Sequence, residues 1–180
     1  MIPPELIKKF PKLRAERDSK TSDPTRQYNC IAWSANRDVD QWWQPIKEEP
    51  WDFWPEGVPD DYSLESFVLI FEKLGYEKCR DNTFEILRKK VAIYADADGF
   101  THVCDELNSG AWTSKLGPDE DIQHSSLECL EGAPKGYGHV RQVLRKNCNL
   151  LEALIRIYFK VIKTFVPSYR YIHKIKSRSK

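Results

Sequence analysis

No Cys-x-x-Cys pair occurs in the chain, and its five cysteines, at positions 30, 79, 104, 129 and 148, are odd in number and irregularly spaced. Neither a zinc ribbon nor a disulfide framework follows from such a pattern. No run approaches the roughly 18 uncharged apolar residues of a spanning helix. Residues 1–9 carry two prolines, a glutamate and two lysines where a secretory leader would have its apolar centre. Reduced thiols in a cytoplasmic setting are therefore the expectation. Internal repeats and low-complexity tracts are also lacking, which excludes solenoid architectures.

Aromatic residues, by contrast, are plentiful: six Trp, eight Tyr and eight Phe in 180 residues. Each can bury a large apolar area, so the chain folds around a core instead of remaining disordered. Its length suits one domain with an added terminal element. The formal net charge of +1 conceals a division. From Arg141 to Lys180 eleven Lys or Arg accompany a single acid, Glu152, while the first 140 residues hold 17 basic and 26 acidic side chains. A basic segment beside an acidic body either lies on that body or meets an anionic partner.

Hydrophobic spacing gives the order of elements. Residues 4–17 suit a short polar helix cut by Pro11. Asn29 is an N-cap for a helix beginning at Cys30, with Ile31, Ala32 and Ala35 at helical spacing. Between residues 37 and 62, Trp42, Trp43, Trp51 and Trp54 stand among Pro45, Pro50, Pro55 and Pro59. Proline excludes regular structure there, and tryptophan implies an ordered, packed loop that seals a core. Ser63 caps a helix over 64–74, ended by Gly75. Strands follow over 91–95, 101–107 and 111–115, joined by Asp96-to-Gly99 and Asn108-to-Gly110 turns. Residues 118–123 read as an acidic loop, 125–130 as a helical turn and 137–144 as a fourth strand. Over 147–166, Glu152, Arg156, Lys160 and Lys163 form one charged stripe on an otherwise apolar helix, which Pro167 ends. The expected fold class is α+β: a helix carrying Cys30 packed on an antiparallel sheet of about four strands. The divisions are an extension over 1–24, the α+β domain over 25–146, and an amphipathic helix with a basic tail over 147–180.

The candidate chemistry is a cysteine–histidine pair. A thiolate is favoured at a helix N-terminus by unpaired amides and the macrodipole, and Cys30 alone among the cysteines has that placement. His102, at the start of a strand after a turn, can serve as its base. The group that orients the imidazole stays open among Thr113, Ser114, the 115–117 loop, Asp121 and His124, with Ser114 on the neighbouring strand. The bland counterpart is equally concrete: Cys30 as a small buried residue and His102 bonded to a turn carbonyl. A metal site from His102, Cys104 and His124 can be drawn, but alternate-residue spacing on a strand is commonplace, so neither metal nor cofactor is expected.

Cysteine opening a helix, followed by histidine on an antiparallel sheet, resembles the layout of the papain-like superfamily, particularly its NlpC/P60 and CHAP branches. Tyr28-Asn29-Cys30-Ile31-Ala32-Trp33, the Trp/Pro loop, Ser63-to-Phe67, Leu74-Gly75-Tyr76 and Trp112-Thr113-Ser114-Lys115-Leu116-Gly117 are similar to an uncharacterised bacterial domain family over about residues 25–145. The papain-like resemblance implies Cys30 as nucleophile, His102 as general base and Ser114 as third member. It also implies an oxyanion held by the backbone N–H of Cys30 with Gln27 or Asn29. The activity so implied is that of a cysteine hydrolase, a peptidase, amidase or deamidase acting on a protein or peptide. The alternative is a non-catalytic protein-interaction domain, bound at an anionic membrane surface through residues 147–180. Nucleic acid is not the expected partner, because no reader motif accompanies the basic residues.

Overall fold

The structure, a computed structural model, describes residues 1–35, 41–46, 48–132 and 136–165. In chain order it contains α1 (Pro4–Lys9), β1 (Ser19–Lys20), α2 (Cys30–Ser34), β2 (Trp42–Trp43), β3 (Asp52–Phe53), α3 (Leu64–Lys73) and β4 (Glu77–Cys79). Then come β5 (Arg88–Ala95), β6 (Phe100–Glu106), β7 (Trp112–Lys115), β8 (Asp121–His124), a 3-10 turn (Leu127–Leu130), β9 (His139–Asn147) and α4 (Leu150–Phe165). Part of the Trp/Pro loop (36–40 and 47) and the basic tail (166–180) lie outside the described residues.

The α+β class holds, but the sheet is larger than expected. Seven strands run in the order β1-β8-β7-β6-β5-β9-β4, with every pairing antiparallel. The 118–123 acidic loop is in part strand β8, and β1 and β4 are short polar strands at the two edges. β9 does not simply extend the meander: it lies between β5 and β4. β2 and β3 form a separate, parallel two-residue ladder in the Trp/Pro loop.

Both faces of the sheet are covered. On β5 and β6 successive side chains alternate between faces. Val91, Ile93 and Val103 pack with Ile31 of α2 and with Phe67 and Phe71 of α3. Ala92, Tyr94 and Cys104 pack on the other side with Leu6, Phe10, Leu13, Ile122 and Leu130. Residues 1–24, set apart as an extension from sequence, thus supply both core side chains and edge strand β1. Phe67 shows the quality of the packing: it stacks on Phe100 at 3.5 Å and meets Trp54 edge-on at 5.3 Å. Burying such a side chain stabilises the fold by about 1.5–3 kcal/mol.

The capping expectations are met in atomic detail. Asn29 Oδ1 accepts from the Ala32 N–H at 3.2 Å, and its Nδ2 donates to the Trp43 carbonyl at 2.6 Å, tying α2 to the Trp/Pro loop. Ser63 Oγ accepts from the Ser66 N–H at 3.3 Å. Gly75 takes φ +86° just past α3, where a Cβ would be strained. Within the loop, the Asp52 carboxylate accepts from the Glu48 and Glu49 N–H groups at 2.8 Å each, and Trp54 Nε1 donates to the Val58 and Pro59 carbonyls.

α4 is attached by charge. Arg156, fully buried, donates from Nη2 to Glu106 Oε2 at 2.6 Å and to the Glu85 carbonyl at 2.9 Å, and from Nη1 to the Leu107 carbonyl at 3.4 Å. Its guanidinium also lies over the Phe84 ring, 4.3 Å from the centroid. One turn earlier, Glu152 accepts from Lys89 Nζ at 2.8 Å. Arg156→Ala strips the buried Glu106 carboxylate of its partner, so a loss of roughly 3–5 kcal/mol in urea unfolding is expected. Arg156→Lys, lacking the planar fork, recovers only part of it. Equal stability of wild type and Arg156→Ala would contradict this attachment.

Candidate functional site

Strand alternation decides where the expected catalytic pair falls. Val103 points to the face covered by α2 and α3, where Cys30 lies in the same apolar cluster. His102 and Cys104 take the opposite face, and Cys104 belongs to the other cluster. The sheet therefore separates sulfur from imidazole. Among the described residues no hydrogen bond or ion pair joins them.

Cys30 opens α2 but is 7% exposed. Burial pushes its thiol up to about 11, and hydrogen bonding with backbone at Val103 and within α2 offsets this only in part. Desolvation thus outweighs the helix N-terminus, and the neutral thiol prevails at neutral pH. The expected oxyanion groups are engaged otherwise. The Gln27 N–H donates to Thr25 Oγ1 at 3.2 Å, and the Asn29 amide serves the cap and the Trp43 carbonyl.

His102 and Ser114, by contrast, do meet, and His124 joins them. His102 Nε2 lies 3.1 Å from Ser114 Oγ, which lies 2.9 Å from His124 Nε2. His124 Nδ1 is 2.8 Å from the Ser126 carbonyl, which can only accept, so Nδ1 carries the proton. A neutral His124 then accepts at Nε2 from the serine hydroxyl, whose oxygen accepts from the His102 Nε2–H. Burial holds both rings neutral, driving His102 well below the usual imidazole range and His124 down to about 4. The His102 ring stacks on Tyr137 at 4.1 Å, 10° from parallel. All three relay members are buried, with His124 and Ser114 at 0% exposure. This is a sealed polar relay that aligns β6, β7 and β8, and its donors and acceptors are matched link by link.

A second polar joint, absent from the sequence reading, lies on the Cys30 side. Tyr28 donates to the Asp121 carboxylate at 2.7 Å. Lys115 is fully buried, bonded to the Asp119 carbonyl, 3.8 Å from Asp121 and 5.3 Å from the Tyr28 ring centroid. The segment before α2 is thereby fastened to β7 and β8. A cavity of about 340 Å³ lies apart from both joints, walled by Trp43, Phe53, Ile70 and Leu74 with Lys73 and Gln41 among its lining. It contains none of the residues singled out for catalysis.

A family model described as a domain of unknown function, DUF7689, matches residues 19–145. The chain belongs to the DUF7689 family. The match spans β1 through most of β9, including the relay and the Tyr28–Lys115–Asp121 joint, and leaves α1 and α4 outside the DUF7689 region. No curated protein and no solved structure matches the chain.

Two outcomes follow. A dilute alkylating reagent at neutral pH is expected to modify the half-buried Cys79 and Cys148 before Cys30, whose labelling requires unfolding. Preferential labelling of native Cys30 below pH 7 would overturn its placement. Second, the unfolded imidazole of His124 protonates near 6.5 and the folded one only near 4, so its stabilising contribution is present above pH 6.5 and lost as pH falls. Asp105, pushed up to about 7 by burial, acts in the opposite sense, so the informative quantity is the gap between wild type and His124→Gln. That gap should narrow by roughly 3 kcal/mol between the two pKa values. A constant gap in chemical unfolding would mean that the folded ring is already charged.

Proposed function

We propose that this DUF7689 chain is a non-catalytic interaction domain that docks through the outward face of α4. The supporting observation is the orientation of that helix. Two members of its charged stripe turn inward, with Arg156 at 0% exposure and Glu152 on Lys89. Leu150, Leu151, Leu154, Ile157, Tyr158 and Val161 face out, with exposures from 41% to 78%. At 3.6 residues per turn these six fall within an arc of roughly 120°. A contiguous apolar stripe of that kind on a folded domain marks a binding surface, whereas a single exposed leucine would not.

The hydrolase reading lacks a comparable support, because its nucleophile and base sit on opposite faces of the sheet and both are buried. A catalytic imidazole must also take up and return a proton, and burial opposes the charged form of His102.

The double variant Leu154→Gln/Ile157→Gln tests whether the stripe is free. As a surface change it should leave unfolding free energy within about 1 kcal/mol of wild type and leave the mass measured by light scattering unaltered. A larger loss, or dissociation of an assembly, would mean that the stripe is already covered in the isolated protein, and the docking proposal would fall.

A further inference from the structure

We infer that the surface received by α4 is an anionic lipid membrane, on which the helix lies parallel to the plane; this rests on the docking reading above. Among the described residues no helix is long and apolar enough to cross a membrane, so α4 can lie on a bilayer but not span it. The outward arc contains no acidic residue, and the one acid of the helix, Glu152, is turned toward Lys89. Leucine, isoleucine and valine supply the apolar area that enters the acyl boundary, and Tyr158 has the mixed character that favours the headgroup level.

Charge selects among the apolar surfaces that such a ridge could meet. The residues after α4, 166–180, include five Lys or Arg and neither Asp nor Glu. In the sequence they follow α4. The first 140 residues carry a net negative charge, with 26 acids against 17 bases. An anionic lipid surface therefore attracts the α4 end and repels the body, which orients the domain with its apolar stripe toward the bilayer. Each basic residue near an anionic surface contributes about 1 kcal/mol, and this adds to the apolar insertion of the helix. A ridge whose apolar arc is convex and unflanked by acids is what interfacial helices present. Here the fold holds that ridge preformed, through Arg156, so no helix has to be nucleated on the membrane.

The full chain, mixed with vesicles of phosphatidylcholine alone or with added phosphatidylserine, provides the test by co-sedimentation. Binding to the anionic vesicles should exceed binding to the neutral ones by at least about tenfold and weaken as salt rises. Leu154→Gln/Ile157→Gln should lower it by a further factor of about ten, since two buried aliphatic side chains are lost without any change in charge. Absence of binding to anionic vesicles overturns the inference, as does equal binding to both vesicle types. Undiminished binding of the double variant also overturns it, because the tail would then act without the helix. Should vesicles fail while the double variant remains as stable and monomeric as wild type, only the membrane falls and a protein partner takes its place. A destabilised or dissociated double variant removes the docking reading itself.

Discussion

The buried pair of Arg156 and Glu106 fixes which face of α4 meets solvent. A helix with a broad apolar face would ordinarily turn that face toward the core, because burial of aliphatic area is the larger gain. Here a guanidinium with no solvent exposure satisfies a carboxylate at the end of β6 and two carbonyls, those of Glu85 and Leu107. Once those partners have been withdrawn from water, rotating the helix would leave the Glu106 carboxylate and the two carbonyls without their donor. Breaking such a buried pair costs about 3–5 kcal/mol, which opposes the rotation. The network extends further: Glu85 also pairs with Lys90 at 2.9 Å and with Arg145 at 3.3 Å, so β5, β9 and α4 share one set of charges.

Much of the architecture was legible in the sequence because local rules and tertiary demands agree. Asn29 and Ser63 cap the helices they precede, Gly75 ends α3, and alternation marks β5 and β6. Two strands were not legible: β4, at one edge, and β8, which lies between β1 and β7. β4 is Glu-Lys-Cys and β8 is Asp-Ile-Gln-His, sequences with no apolar alternation. β8 is held by specific partners: Asp121 by Tyr28, and His124 by Ser114 and the Ser126 carbonyl. Such pairings join residues up to 93 positions apart and leave no periodic trace. The same limit applies to the helix at the end of the described chain. Periodicity locates its charged stripe, but that Arg156 turns inward depends on a carboxylate and carbonyls contributed from elsewhere.

The motifs that first suggested chemistry have a different physical account. Tyr28-Asn29-Cys30 and Thr113-Ser114-Lys115 meet in space, though not through the sulfur. Tyr28, Lys115 and Asp121 form one joint, and Ser114 links two histidines in another. Thr113 Oγ1 donates to the Ile122 carbonyl between them. Reactive residue types in close array are here bonded to one another inside the fold. The parity of β6 supplied the decisive information, since Val103 shares a side with Cys30 while His102 does not.

The position of β9 bears on how the chain acquires its shape. Seated between β5 and β4, it pairs Arg88 with Asn147 and Glu77 with Arg145, contacts that loop over some of the longest separations in the sheet. Without β9, β5 would present an open row of amides and carbonyls on the side away from β6. An unfilled slot of this type is a template for strands of other molecules. Closure of this sheet therefore carries the entropic cost of long-range pairing, and β9 is the segment that fills the slot.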